Sequence, residues 1–394
     1  MWAVRPHSAA GVSAKDAQVD QTTHGVTFGV EEEFLLVDPD SWQVTSQARE
    51  VIALIPQRLR DHVHHELHLT QVELATPVCS SLTELRDWLA VLRGHLVSAA
   101  DEVGCRLIAA GSGVLDTGAV PPLTEGERYR RMADEFGALT AVQGVCATHV
   151  HVGIGSREVA TAVSNWLRPY LPTLQAICAN SPFVDGRDTG YASWRSVQWS
   201  RWPSAGPAPW WRSAAHYDET VAVLVRSGAL LDARMAYWYT RLSPRYPTIE
   251  VRAGDVCPTI DEATLLAALT RALVVVAIAR SAEGHDAVAV DDHLLRAARW
   301  RAARDGLEGV GLTLPDGDPQ PAWRLLDSLV AEVRPVLEAN GDWPTVQRLV
   351  GQLRAHGTGA ARQRAASAAG TGLPDVVAFL ADETRRGVQL PVPA

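Results

Sequence analysis

Residues 29–37 read GVEEEFLLV, three consecutive glutamates within an otherwise apolar run. The Val, Phe and Leu residues around the glutamates are typical of a β-strand with a buried face. Carboxylates resist burial, and each one destabilises a core by several kcal/mol unless it is paired or bound to a cation. The stretch therefore predicts the first strand of a sheet whose acidic side chains are compensated by cations.

The composition predicts one large domain in the cytoplasm. The chain has 394 residues, of which 47% are hydrophobic, enough for a sizeable core. Its formal net charge is −9 and no run of Lys or Arg stands out, so neither nucleic acid nor a membrane is expected as a partner. The five cysteines are scattered without a CxxC pair, as suits a reducing compartment. We expect residues 1–24 to form a flexible tail without signal-peptide character, and residues 25–390 to form a single domain.

Strand-like stretches dominate the first half of the chain and helical stretches the second. The predicted strands lie within residues 27–37, 69–78, 106–113, 147–155 and 247–256. The predicted helices cover residues 81–104, 159–178, 263–282, 321–339 and 374–386. No glycine-rich phosphate loop follows any strand, which favours an α+β fold with a mainly antiparallel sheet. The most apolar run, residues 265–279, contains Arg271 and is too short to span a bilayer, so it predicts a buried helix.

Four of the predicted strands share one pattern, with apolar residues on one face and polar or charged residues on the other. Side chains alternate across a strand, so residues two apart point to the same side. Glu32 falls on the apolar face and is set apart. A sheet face that only meets water would carry more Lys, Thr and Ser. The polar face consists of Glu31 and Glu33, Gln71 and Glu73, His149 and His151, and Glu250 and Arg252.

These converging carboxylates and imidazoles predict a site for divalent cations. Oxygen-dominated ligation with one or two imidazoles favours Mg²⁺ or Mn²⁺ over Zn²⁺, and the number of carboxylates implies more than one ion. Clustered Mg²⁺ beside an arginine is the apparatus of phosphoryl transfer. Residues 62–66, HVHHE, lack the spacing of a zinc site and are interpreted as a solvated segment that leads to Glu66.

Several stretches, taken in order and spacing, resemble one family. GVEEEF, QVELATPV, GVCATHVHVGI and YPTIEVRAGDVCP, followed by RWPSAGP, RAARDGLEG and GAARQR, are similar to the carboxylate–amine ligases of the glutamate–cysteine ligase type 2 family, which is related to glutamine synthetase. The resemblance covers residues 27 to about 386. It implies a curved antiparallel half-barrel with helices on its apolar outer face, and ATP with two or three Mg²⁺ ions in its mouth.

The resemblance also assigns roles to residues of the polar face. Glu250 and Arg252 take the catalytic positions, and Arg252 contacts the transferred phosphate. Glu66 lies seven residues before Glu73, an odd offset, so it has to reach the site from a bend or a turn. The metal ligands that the resemblance implies are Glu31, Glu33, Glu66, Glu73, His149, His151 and Glu250.

Further polar residues are expected on the substrate side. Residues 193–211 hold five tryptophans together with Arg195 and Arg201, and we interpret them as a loop over the pocket. Both arginines and Gln71 are candidates for binding substrate, Arg195 as a clamp for a carboxylate. The tryptophans equally suit packing within the loop or a contact between the two subunits of a homodimer.

The implied reaction consumes ATP. Phosphorylation turns a carboxylate into an acyl phosphate, which an amine attacks to give an amide, so no cysteine has to act as a nucleophile. Arg301 and Arg304 either bind the nucleotide together with Arg252 or lie on a helix surface. Small-molecule substrates are expected, with glutamate as the carboxylate and either cysteine or an amine of specialised metabolism as the acceptor. The alternatives are a metallohydrolase built on the same Glu/His cluster and a non-catalytic binding protein.

Overall fold

The computed structural model describes residues 26–115, 120–141 and 144–390, so the predicted tail over residues 1–24 lies outside the described residues. The strands are β1 (Phe28–Val37), β2 (Val63–His65), β3 (Gln71–Ala75), β4 (Arg106–Ile108), β5 (Ala147–Gly153), β6 (Phe183–Val184), β7 (Arg187–Asp188), β8 (Thr240–Leu242), β9 (Thr248–Asp255), β10 (Val310–Leu312) and β11 (Pro319–Pro321). The α-helices are α1 (Ala48–Ala53), α2 (Leu82–Val103), α3 (Glu127–Phe136), α4 (Ala138–Ala141), α5 (Arg157–Leu167), α6 (Leu171–Ile177), α7 (Trp194–Trp199), α8 (Ala214–Arg226), α9 (Ile260–Ala282), α10 (Asp292–Asp305), α11 (Ala322–Ala339), α12 (Trp343–His356), α13 (Gly359–Ala369) and α14 (Leu373–Arg385). Short 3₁₀ helices cover Gln57–His62, Arg168–Tyr170 and Ala233–Met235.

Helices surround one mainly antiparallel sheet, which confirms the predicted α+β class. Over the described ranges this sheet has seven strands in the order β2–β3–β1–β5–β9–β8, with β4 also paired to β1. Its pairings are antiparallel. The four strands that were predicted to share a polar face, β3, β1, β5 and β9, are therefore neighbours in the sheet, and their polar residues meet.

Helix α9 lies at the centre of the core, against the apolar side of β1 and β5. It begins with a capping box in which the side chains of Thr259 and Glu262 each accept a backbone N–H of the other. By length and composition α9 could cross a membrane, but 78% of its apolar window is buried inside the protein. Arg271, which interrupts the apolar run, stacks over the ring of Phe28 at 4.6 Å. The prediction of a buried helix is confirmed.

The predicted helix over residues 159–178 is divided in the structure. Helix α5 ends at Leu167, a turn of 3₁₀ helix follows, and α6 begins at Leu171. Pro169 and Pro172 lack the backbone N–H that a continuous α-helix needs, so one uninterrupted helix cannot form. Helix α2, by contrast, follows the prediction closely, because Ser81 caps its start and Gly104, with a φ of 88°, ends it.

Candidate active site

The polar face of the sheet lines a cavity of about 990 Å³. The strands bring its residues directly opposite one another, because β1, β3, β5 and β9 are paired in antiparallel register. The register pairs Glu33 with Glu73, Glu31 with His149, and His151 with Glu250. Alternation along each strand then sends the intervening Val, Leu and Ile side chains into the core behind the sheet.

Glu31, His151 and Glu250 form one group of ligand atoms, the mixed trio, whose atoms lie within 4.8 Å of one another. His151 Nε2 is 3.3 Å from Glu31 Oε1 and 3.7 Å from Glu250 Oε2. On the other side of the ring, His151 Nδ1 lies 3.0 Å from Thr248 Oγ1, a contact that fixes the ring orientation. His151 Nε2 is buried without a hydrogen bond and faces both carboxylates, so a cation bound between them would be within its reach.

Glu33, Glu66 and Glu73 form a second group, the acidic trio, with ligand atoms again within 4.8 Å of one another. Glu66 directly follows β2, outside the strand, which explains how it reaches the cavity despite its odd offset from Glu73. Thr124 Oγ1 donates to the Glu66 carbonyl at 2.6 Å and holds this segment in place. Glu33 Oε2 accepts a hydrogen bond from Ala147 N at 2.8 Å.

His149 lies between the two trios. Its Nδ1 is 3.3 Å from Glu31 Oε2, in the mixed trio, and its Nε2 is 3.8 Å from Glu33 Oε1, in the acidic trio. Burial, reinforced by Arg252, lowers the pKa of His149 to about 4, so the ring is neutral at physiological pH. A neutral imidazole between two carboxylates can serve either trio as a ligand or as a hydrogen-bond partner.

Positive neighbours offset the charge of the mixed trio. Although burial alone would raise the pKa of Glu31, the His151 and His149 rings hold it well below its ordinary value. Burial is likewise outweighed at Glu250, where Arg241 and Arg252 lower the pKa. Burial opposes a charge on His151, but Glu31 and Glu250 nevertheless raise its pKa.

In the acidic trio, by contrast, positive neighbours do not outweigh the effect of burial. Burial, together with the charge of Glu66, raises the pKa of Glu33 to about 8. Burial and the charges of Glu31 and Glu66 raise the pKa of Glu73 well above its ordinary value. A raised pKa means that a carboxyl retains its proton to higher pH, and a bound cation can take the place of that proton.

The donor sets of both trios fit Mg²⁺ or Mn²⁺. Five of the six side chains offer carboxylate oxygens and one offers an imidazole, and no cysteine belongs to either group. Hard divalent cations prefer such oxygen ligands, and Mn²⁺ also accepts an imidazole. Two further features are expected of a site that binds positive ions. His151 Nε2 makes no hydrogen bond, and the pKa of Glu33 is raised.

Two arginines bracket Glu250. Arg252 contacts Glu250 Oε1 through its NH1 group, and Arg241 donates from Nε to Glu250 Oε2 at 2.7 Å. Arg241 lies in β8, opposite Glu250, and was missed by the sequence analysis. The three-residue strand β8 is too short to show alternation, so the only available signal was its position shortly before β9.

The wall opposite the trios is aromatic and basic. Arg252 lies 6.0 Å from the ring centre of Trp199 and 5.8 Å from that of Tyr237. Trp199 and Trp202 come from the tryptophan-rich segment and line the cavity, whereas Trp211 packs on Trp238 with ring centres 4.9 Å apart. The predicted loop is wrong for Trp194–Trp199, which form α7, while some of the tryptophans lie at the cavity and others pack in the core. The cavity residues that the sequence did not single out include Arg128, Tyr129, Arg234, Tyr237 and Tyr246.

The remaining predicted residues lie around the cavity or away from it. Gln71 lines the cavity, but its amide donates to the Val145 carbonyl at 2.9 Å. The described residues that line the cavity do not include Arg195, Arg201, Arg301 or Arg304. Arg195 is buried, with its NH1 group 4.0 Å from Asp255 Oδ1, while Arg201 is exposed. Arg301 and Arg304, on α10, both lie next to Asp305, at 2.9 Å and 3.6 Å.

Comparison with known proteins identifies the chain by sequence. The model of glutamate–cysteine ligase family 2 matches residues 27–378. A protein of Salinispora tropica named "Putative glutamate--cysteine ligase 2" is 46% identical over 371 residues, which cover 94% of this chain and 96% of that protein. A protein of Saccharopolyspora erythraea named "Putative glutamate--cysteine ligase 2-1" is 48% identical over 339 residues, covering 86% of this chain and 89% of that protein.

Two solved structures share the fold at low sequence identity. The bifunctional glutathione synthetase of Pasteurella multocida superposes with a TM-score of 0.68 at 16% identity, over 94% of this chain and 53% of that one. The glutamate–cysteine ligase of Francisella tularensis, solved in complex with AMP, gives a TM-score of 0.67 at 12% identity, over 93% of this chain and 90% of that one. At these identities the likeness concerns the fold alone.

Proposed function

The chain belongs to glutamate–cysteine ligase family 2, and from this premise we propose that it is an ATP-dependent ligase that joins a carboxylate to an amine. Glutamate is the first candidate for the carboxylate and cysteine for the amine, with an amine of specialised metabolism as the other acceptor. The observation that carries the proposal is the pair of trios on one sheet face, with Arg252 beside them in the same cavity.

The chemistry explains why such a cavity is useful. A carboxylate is a poor electrophile because its negative charge repels an attacking amine. Transfer of the γ-phosphate of ATP converts it to an acyl phosphate, and the amine then forms the amide and releases phosphate. When bound, Mg²⁺ or Mn²⁺ would neutralise charge on the phosphoryl group. The mixed trio and the acidic trio would hold these ions, with His149 between them.

The chain's own residues contribute position and charge. Arg252 is held by Glu250 on one side and by the faces of Trp199 and Tyr237 on the other. Its guanidinium is therefore oriented before any ligand arrives, and its planar donors match the oxygens of a phosphoryl group. The rings of Trp199 and Tyr237 place apolar surface beside the guanidinium, and a less polar surrounding strengthens a charge interaction.

The other expectations stand as proposals alongside the reaction. We propose a single catalytic domain over residues 25–390, a sheet curved as a half-barrel, small-molecule substrates and a cytoplasmic location. The Francisella tularensis ligase with this fold was solved with AMP, which supports an adenine nucleotide as the cosubstrate here. Gln71, which lines the cavity, and Arg195 and Arg201, which lie outside its described lining, are proposed to bind substrate. Arg301 and Arg304 are proposed to bind the nucleotide together with Arg252.

The test is a screen for ADP release in which amino acids are crossed with amines, in Mg²⁺ and in Mn²⁺. We expect ADP to appear only when a carboxylate, an amine and a divalent cation are all present. A metallohydrolase built on the same trios would turn over its substrate without nucleotide. A binding protein would release no ADP with any pair, and either result would replace the ligase proposal.

A further inference from the structure

We propose that Glu32 and Arg93, an ion pair on the back of the sheet, position the metal-binding carboxylates of β1 from the opposite face. The proposal rests on the metal-dependent function proposed above. Glu32 lies between Glu31 and Glu33 in the sequence, and its side chain points away from the cavity. Arg93, on α2, meets it there, so the two are positioning residues and touch no substrate.

The pair is completely buried and fully bonded. Neither side chain has any exposed surface. Arg93 donates from Nε to Glu32 Oε2 at 2.7 Å and from NH2 to Glu32 Oε1 at 2.5 Å. The same guanidinium donates to the carbonyls of Pro258 at 3.1 Å and Cys257 at 2.9 Å. A guanidinium has a rigid planar fork, so four bonds in these directions fix Glu32 relative to Cys257 and Pro258.

These contacts connect the strands that carry the trios. Glu32 belongs to β1, and its partner across the ladder is Thr148 of β5. Cys257 and Pro258 follow β9, and Cys257 N donates to Thr148 Oγ1 at 3.0 Å. One arginine of α2 therefore links β1 to the segment after β9, while Thr148 links that segment to β5. The three strands that supply the mixed trio are joined at one place behind the sheet.

The physical argument is that stability alone does not explain this pair. A buried ion pair can be replaced by apolar residues of similar volume with little loss of stability, and often with a gain. Apolar residues cannot supply directional hydrogen bonds, which here orient β1. Coordination distances at a metal site hold within about 0.2 Å, so a small rotation of β1 would move Glu31 and Glu33 out of range.

The decisive variant replaces both charges, Glu32→Leu together with Arg93→Met. We expect it to fold, because no unpaired charge remains, with a melting temperature lowered only by the loss of the donors to the Pro258 and Cys257 carbonyls. We expect its Mn²⁺ affinity, measured by titration calorimetry, to fall by about tenfold or more, in the range seen when supports of metal ligands are removed. The Mn²⁺ electron paramagnetic resonance spectrum, which senses the separation of two ions, should also change.

A matched control lies on the same helix. Arg86 of α2 pairs with Asp261 of α9 at 2.9 Å but makes no contact with the trios. Arg86→Met with Asp261→Leu removes an ion pair of the same helix α2, but one made with helix α9 and not with the sheet, and should leave the Mn²⁺ affinity unchanged. If the Glu32/Arg93 double variant fails to fold, Arg93→Lys keeps the charge but loses the fork and should show the same tenfold loss.

Each outcome separates the two proposals. Wild-type Mn²⁺ affinity in a folded Glu32/Arg93 double variant, or in Arg93→Lys, would overturn the positioning role and leave the metal site intact. An equal loss in the Arg86/Asp261 control would also overturn it, because the effect would then belong to helix packing in general. Absence of Mn²⁺ binding by the wild-type protein would overturn the metal site itself, and the positioning role with it.

Discussion

The mixed trio and the acidic trio lie on the same face of one sheet, but their carboxylates have opposite pKa shifts. In the mixed trio, burial is outweighed by positive neighbours, and the pKa values of Glu31 and Glu250 are lowered. In the acidic trio, burial and the neighbouring carboxylates act together, and the pKa values of Glu33 and Glu73 are raised. Glu31 and Glu33, two residues apart on β1, thus meet two different electrostatic environments.

The difference in pKa shifts indicates which of the two trios depends more on a cation. The mixed trio already has its charges balanced by imidazoles and guanidiniums, so its geometry is supported by the protein alone. In the acidic trio, bound protons reduce the repulsion between the carboxyl groups, and a bound cation would take the place of those protons. We therefore expect the mixed trio to dominate catalysis and the acidic trio to dominate the dependence on metal.

The largest effect is expected from Glu250→Gln. The variant loses a ligand charge in the mixed trio and leaves Arg241 and Arg252 without their shared carboxylate. Loss of several kcal/mol of transition-state stabilisation corresponds to a fall in kcat of roughly 10³-fold or more. The rate of ADP release at saturating substrate measures kcat. Glu262→Gln is the control, since Glu262 is a buried carboxylate bonded to Arg362 outside the cavity and should keep its kcat. Wild-type turnover in Glu250→Gln would remove that residue from the site.

Arg252→Lys should have the next largest effect. If the guanidinium grips the phosphoryl group, lysine lowers kcat by about 10²–10³-fold with little change in the KM for ATP, as when one oriented donor is removed. If Arg252 only holds Glu250 in place, the variant melts at a lower temperature and keeps most of its turnover. Steady-state kinetics and melting curves on one preparation distinguish the two roles.

A paired substitution compares the trios directly through stability. Without metal at pH 7, Glu33→Gln replaces a carboxyl whose pKa is raised to about 8 and which is largely protonated, so the melting temperature should change by no more than about 2 °C. Glu31→Gln removes the carboxylate that His149 and His151 face, and should destabilise the fold by about 1–3 kcal/mol. Thermal melts in chelator test both. An equal fall in melting temperature in the two variants would contradict the electrostatic difference between the trios.

The smallest effect is expected from pH. Glu33 has a raised folded pKa of about 8, so the folded state binds more protons than the unfolded state between its ordinary pKa and that value, and stability falls as pH rises through the interval. His151, whose pKa is also raised, contributes stability that is likewise lost as pH rises. His149, whose pKa is lowered to about 4, has the opposite effect below about pH 6.5, so in chelator the melting temperature should decline from pH 7 to pH 9. Saturating Mg²⁺ should flatten the decline, and an unchanged slope would count against cation binding by the acidic trio.

Alternation along strands was enough to predict the polar face. It succeeded because β1, β3, β5 and β9 are regular ladders in which residues two apart share a side. The same reasoning placed Glu32 on the apolar face but could not name its partner, because Arg93 is 61 positions away in the sequence. Only the packing of α2 on the sheet brings the two together.

Other features depended on details that periodicity does not contain. Arg241 lies on a strand of three residues, too short for a pattern. The pairing of β5 with β9 shifts register between Thr148 and Val150, and Asp255 consequently lies opposite Ala147. The division of the predicted helix over residues 159–178 could have been foreseen, since Pro169 and Pro172 both stand in the sequence.

The account's central claim is that both trios bind divalent cations, and anomalous scattering tests it most directly. Crystals would be grown with Mn²⁺ and a non-hydrolysable ATP analogue, and data collected at the manganese absorption edge. The account predicts one anomalous peak within ligand distance of Glu31, His151 and Glu250, and another beside Glu33, Glu66 and Glu73, with the analogue's phosphates next to the ions. A map with nucleotide bound but no peak at either trio would contradict it.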